Sequence, residues 1–140
     1  MKFTKWGAGA LVQAIALVAC APATHALKIG DTEFQVEVAE TEQAQRAGLS
    51  GRRKLPEGTG MLFVFAGKQE QQVWMAGMQV SLDIAWLVDG RVLAVDTLDP
   101  CDIEDQEQCP RWTSPAPIDA LLEVPAGELA GVEPGERVSW

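Results

Sequence analysis

The sequence predicts a mainly β, single-domain fold, sandwich- or barrel-like, with one short helix. Three observations carry that expectation: many short apolar runs, turn signals between nearly all of them, and a single stretch with helical composition and caps. No internal repeat or low-complexity tract complicates the picture.

Taken in order, Ile29-Gly30-Asp31 marks an opening turn. Phe34, Val36 and Val38 then alternate with Gln35 and Glu37, the period-two pattern of a half-buried strand. Thr41 is an N-cap candidate before TEQAQRAGL, and Gly48 is placed to end that short helix. The glycine-rich basic loop SGRRKLPEGTG precedes MLFVF at 61–65, a short branched and aromatic run read as a buried strand. Residues 71–76 and 82–88 read as two more strands. Asp89-Gly90 predicts a two-residue hairpin, since a type I′ turn needs positive φ at both central positions, and the chain returns over Arg91 to Leu98. Residues 99–119 read as loop, with Pro100, Pro110, Pro115 and Pro117. Ala120 to Val124 and Arg137 to Trp140 are the last expected strands, with a bend and one possible helical turn between them.

The first 26 residues are expected to be an export signal rather than structure. Lys2 and Lys5 precede the uncharged stretch Gly7 to Ala19, and Thr24-His25-Ala26 offers the small residues that signal peptidase prefers. That stretch is shorter than the roughly 20 residues a membrane-spanning helix needs. Leu17-Val18-Ala19-Cys20 is an alternative, a lipobox that would anchor the chain to the outer membrane through Cys20. Cleavage after Ala26 leaves 27–140 as one β-rich domain, and the expected location is periplasmic or extracellular.

That domain holds 9 basic and 20 acidic residues, a net charge of −11, which argues against nucleic acid and anionic membrane as partners. A small-molecule ligand or an envelope protein is the expected partner, with membrane contact only through a lipidated Cys20. Cys101 and Cys109, with seven residues between them in DPCDIEDQEQCPRW, are expected to form a disulfide in an oxidising compartment. The lone histidine, His25, falls in the export segment, so a histidine-dependent triad or a histidine-based zinc site is excluded after cleavage. No cofactor is expected.

The order GLSGRRKL, GMLFVF, WM, LDIAWL, DGRV and LLEVPAGEL resembles the domain-of-unknown-function family 192 over residues 33 to 140. The resemblance implies a compact, jelly-roll-like β domain, often exported, and no activity. The family's glycine-leucine and arginine fall on Gly48, Leu49 and Arg52, and its Gly-Met-Leu-Phe on Gly60, Met61, Leu62 and Phe63. Its Phe-Trp-Met-Lys-Asn-Thr meets Val73, Trp74, Met75, Ala76, Gly77 and Met78, so Trp-Met survives and the polar trio is replaced. Its Pro-Leu-Asp-Ile meets Ser81, Leu82, Asp83 and Ile84.

Several candidate sites follow. Arg52, Trp74 and Asp83 would border a pocket for a small anionic or carbohydrate-like ligand, with an Arg52 fork within hydrogen-bonding reach of Asp83. The competing reading of Arg52 and Asp83 is a structural ion pair. Asp83 is also the candidate catalytic carboxylate of an alternative, enzymatic reading. A third reading binds copper(I) through Met75 and Met78, aided by Met61 and Trp74 and by a bulge at Gly77, against ordinary core packing. Arg52-Arg53-Lys54 could cradle an anion, and Asp96, Asp99, Asp102, Glu104 and Asp105 could hold calcium, although they lack a regular calcium-loop spacing. The leading expectation is a non-enzymatic binding or accessory module. Trp74, Leu82, Ile84 and Trp86 are expected to face the core together, with Asp83 on the opposite face.

Overall fold

The structure, a computed structural model, describes residues 22–140. The export segment, apart from residues 22–26, and Cys20 lie outside the described residues. Among the described residues there are nine strands: β1 (His25–Ile29), β2 (Thr32–Ala39), β3 (Thr59–Gln69), β4 (Gln72–Trp74), β5 (Leu82–Val88), β6 (Arg91–Leu98), β7 (Arg111–Thr113), β8 (Ile118–Pro125) and β9 (Val138–Ser139). The helix α1 (Glu42–Ala47) follows β2.

Seven strands form one curled sheet in the order β6-β5-β8-β3-β2-β1-β9, a half-barrel in which β2 and β3 run parallel and the other neighbours antiparallel. Its two edges meet at one end. Arg91 bridges Arg137, Val92 N–H donates to Glu136 O at 3.0 Å, and Val138 N–H donates to Gly90 O at 2.9 Å. The mainly β, barrel-like expectation therefore holds.

Both faces of this sheet are covered. One face buries Leu27, Phe34, Val36, Leu62, Leu122 and Val124 inside the curl, with Leu129 closing an end. The other buries Phe63, Leu82, Ile84, Trp86, Ile118 and Leu121 beneath the β4-β7 ribbon, α1 and the turn from Met75 to Met78. The alternation on β5 divides its side chains between the two, which is why residues 82–87 are all buried.

Several local expectations hold. Thr41 Oγ1 accepts from Ala44 N–H at 3.2 Å, and Gly48, at φ 47°, ends α1 by donating to Ala44 O. Gln45 Nε2 donates to Ala39 O and Val64 O, so one amide ties the helix to β2 and β3. Asp89 and Gly90 have φ of 52° and 65°, as the type I′ turn requires. Cys101 and Cys109 are disulfide-bonded. Three readings need correction. The chain pairs as β1 before the Gly30 turn, β7 and a 3₁₀ turn (Gln106–Gln108) occupy part of the expected loop, and the segment 71–76 is a strand only over Gln72–Trp74. Leu93 is a bulge residue, with Trp86 opposite Ala94 but Leu87 opposite Val92, which shifts the facing of β6 partway along.

Gly60, on β3, packs directly against β8. A Cβ there would sit 2.2 Å from Glu123 O and 2.8 Å from Val124 Cγ1. Gly60→Ala should therefore lower stability by about 3 kcal/mol or more through forced separation of the two strands. Urea denaturation checks this, and an unchanged midpoint would contradict the packing.

Candidate functional site

The anticipated pocket bordered by Arg52, Trp74 and Asp83 does not assemble, because the three residues sit in different places. Arg52 grips Glu37 on β2 with two hydrogen bonds, at 2.6 and 2.8 Å. This charge-assisted fork holds the Glu37 carboxyl below its ordinary range and the guanidinium above its own. Arg53 and Lys54 are exposed, and among the described residues neither forms an ion pair, so the basic loop is not a three-cation cradle.

Asp83 lies on the opposite face of the sheet, inside the curl, and is 3% exposed. Its Oδ1 accepts from Thr97 Oγ1 at 2.7 Å, and its Oδ2 accepts from Gly127 N–H at 2.8 Å and Leu129 N–H at 2.9 Å. The expected Arg52–Asp83 contact is thus corrected: two faces of one sheet separate them. Asp83 is a structural pin. It holds the turn after β8 so that Leu129 enters the core, and it has no open side from which to act on a substrate.

Trp74 is not core. It lies on β4, 37% exposed, with the Arg111 guanidinium 4.4 Å from its ring centroid. Leu82, Ile84 and Trp86 do share a face, and the Trp86 indole N–H, fully buried, donates to Asp96 at 2.6 Å. Met75 and Met78 share one apolar cluster with Met61, since Gly77 at φ 73° turns the chain back and Met78 N–H donates to Met75 O. The two thioethers are therefore brought to one side, within packed core. The acidic residues of the disulfide region are dispersed: Asp96 serves Trp86, Asp99 accepts from Ser81 at 2.7 Å, and Asp105 caps the 3₁₀ turn. Among the described residues no group of three or more His, Cys, Asp or Glu is gathered as a metal would need.

What the sequence reading missed is Glu123. It sits on β8, directly opposite Met61 of β3 and Ile84 of β5, on the face away from Asp83. It is 7% exposed; among the described residues no side chain or backbone group donates to its carboxyl, whose oxygens keep some accessible surface on the cleft side. Burial pushes its pKa up to about 7. It forms part of the floor of a cleft of about 620 Å³ between α1, β4 and the sheet, whose walls include Phe63, Phe65, Trp74, Met75 and Leu121. Glutamines 45, 71, 72 and 106 and the Glu42–Arg46 pair supply the polar part of the lining. A second hollow, about 770 Å³, lies beside the Glu37–Arg52 pair and is bordered by His25, Met61 and Trp140. A cleft that joins apolar walls to a few polar groups, one of them a perturbed carboxyl, is the usual form of a small-molecule site.

Two substitutions separate these carboxylates. Asp83→Ala leaves two turn amides without their acceptor and should cost about 3 kcal/mol, whereas Asp83→Asn, which keeps one acceptor oxygen, should cost less. Equal urea midpoints for wild type and Asp83→Ala would contradict the pinning role. Glu123 behaves oppositely. A folded pKa raised from 4.5 to about 7 means that burying the charged form destabilises the fold progressively as pH rises from about 4.5, reaching roughly 3 kcal/mol above pH 7. Glu123→Gln should remove that loss, lying close to wild type near pH 4 and exceeding it increasingly toward pH 8. Parallel stability profiles from pH 5 to 8 would contradict it. The Glu37 pair does not confuse the reading, because a lowered carboxyl pKa loses its stabilisation only as pH falls below the ordinary range.

Comparison with known proteins places this architecture. The model of a family described as Uncharacterized ACR, domain-of-unknown-function family 192, matches residues 25–140. No curated protein matches the chain. A crystal structure of a protein of unknown function from Novosphingobium aromaticivorans is similar at 28% identity and a TM-score of 0.74, over 92% of this chain and 99% of that one. A candidate transcription regulator from Sinorhizobium meliloti, at 24% identity and a TM-score of 0.75, covers 85% of this chain and 95% of its own, and shares the fold. The matched span takes in β1 to β9 and both carboxylates, and the chain belongs to domain-of-unknown-function family 192.

Proposed function

We propose that the protein is a non-enzymatic binding module that takes a small molecule with an apolar body into the cleft over Glu123. One observation carries this reading: a cleft of about 620 Å³ walled by aromatic, aliphatic and thioether groups ends on a buried carboxyl with no partner of its own among the described residues. Packed interiors satisfy their polar groups, so an unpaired carboxyl facing open volume is a group available to a ligand. The ligand class expected from sequence narrows accordingly. An anionic ligand would rely on Arg52, which Glu37 already neutralises, and Asp83 is closed to an enzymatic role by its three donors.

Export also belongs to this proposal. The Cys101–Cys109 disulfide supports an oxidising compartment, and no helix among the described residues is long and apolar enough to cross a membrane. Cleavage after Ala26 would leave Leu27, Lys28 and Ile29 to pair with β2.

A fragment screen followed by amide chemical shifts tests the binding reading. Apolar fragments should perturb Phe63, Val73, Met75 and Leu121 as one connected set. Shifts confined to the Glu37–Arg52 hollow, or none at any site, would overturn it.

A further inference from the structure

Resting on the binding reading above, we infer that the cleft's ligand is a hydrophobic ammonium: a protonated amine on an aromatic or branched apolar body, its cationic end meeting the Glu123 carboxylate. The Glu123 carboxyl lacks a counter-charge among the described residues. Asp83 and Glu123 lie on adjacent strands and are both more than nine-tenths buried, but Asp83 has three donors and Glu123 has none among the described residues. A carboxylate in that position needs a cation, and among the described residues the arginines nearest the cleft are engaged elsewhere. Arg46, on α1, lines the same cleft but pairs with Glu42 and has a side chain 82% exposed. Arg52 is held by Glu37, two strands away on the same face. Arg111 lies over Trp74 and pairs with Glu107. Strands β3 and β5, which flank Glu123, place only Met61 and Ile84 opposite it.

The walls select the kind of cation. Phe63, Phe65 and Trp74 supply aromatic groups to the lining, and Met75, Met78 and Leu121 aliphatic and thioether ones. Aromatic faces attract organic cations, and apolar walls reward a greasy body. A hard metal ion would need several oxygen ligands, and no gathered set of three acidic or other ligating groups exists among the described residues. The chain's net charge of −9 attracts cations as a class.

Burial keeps Glu123 protonated up to about pH 7, so an amine must find or induce the ionised form. The charged groups near the cleft are the Glu42–Arg46, Glu37–Arg52 and Glu107–Arg111 pairs, each internally balanced. Amine binding should therefore strengthen with rising pH through the Glu123 titration.

The test uses the full chain and three probes matched in shape: phenethylamine, phenethyl alcohol and 3-phenylpropionate. Each is titrated at pH 5.5 and pH 8, with amide shifts in the cleft as the readout. The amine should bind at least about tenfold tighter than the alcohol at pH 8 and weaken by about tenfold at pH 5.5. Glu123→Gln should abolish that preference while still binding the alcohol as wild type does, which shows that the cleft is intact. Equal binding of amine and alcohol, or an amine preference that survives in Glu123→Gln, overturns the ammonium inference and leaves the cleft reading standing. Tighter binding of the propionate at pH 5.5 overturns it in favour of a carboxyl–carboxylate hydrogen bond. No shift with any of the three overturns both readings.

Discussion

Covering both faces of one curled sheet dictates where charge can go in this protein. β5 and β8 lie mid-sheet, with every residue from Leu82 to Leu87 and from Ala120 to Val124 buried. A carboxylate on such a strand has two outcomes: full internal hydrogen bonding, or exposure to whatever volume the covering layer leaves open. Asp83 and Glu123 take one outcome each. They lie diagonally across a strand pair, since Asp83 faces Val124 and Ile84 faces Glu123, and they point to opposite faces.

The two faces are covered differently, and that difference makes the site. The inner face is closed by the curl itself, by the bridge between β6 and the segment before β9, and by Leu129 on the turn that Asp83 holds. The outer face is covered by small pieces: a helix of six residues, a two-stranded ribbon, and the Met75–Met78 turn. Small pieces leave a gap. Gly77 lets one of them approach closely, its Cβ position lying 2.7 Å from Ser50 Oγ, and Gln45 ties another to the sheet. The cleft is the space that remains between them, with Glu123 beneath.

Features decided by local chemistry were legible in the sequence. The Asp89-Gly90 hairpin, the Thr41 cap, the Gly48 stop and the Cys101–Cys109 bond each depend on a few neighbouring residues. Period-two reasoning also put Asp83 opposite Leu82, Ile84 and Trp86 in facing. The rest depended on long-range pairing. Glu123 between Leu122 and Val124 reads as an outward residue of a half-buried strand, and only its neighbours β3 and β5 with the layer above make that outward face an interior. Trp74 reads as core by its hydrophobicity, yet its strand pairs only with β7 and leaves the indole at the surface. Arg52 meets Glu37 rather than Asp83 because the parallel β2–β3 pair, hard to foresee from alternation, brings Glu37 to the face over which the Arg52 loop lies.

Glu123 is a largely buried carboxyl lining the cleft, with no partner among the described residues. The most direct test is the pKa of that one group, read from its side-chain carboxyl carbon by NMR across pH 4 to 9 in ligand-free protein. The account predicts a midpoint near 7, well separated from the other carboxylates. A midpoint near 4.5, the ordinary value, would mean that the carboxyl is solvated or paired, and would contradict the account.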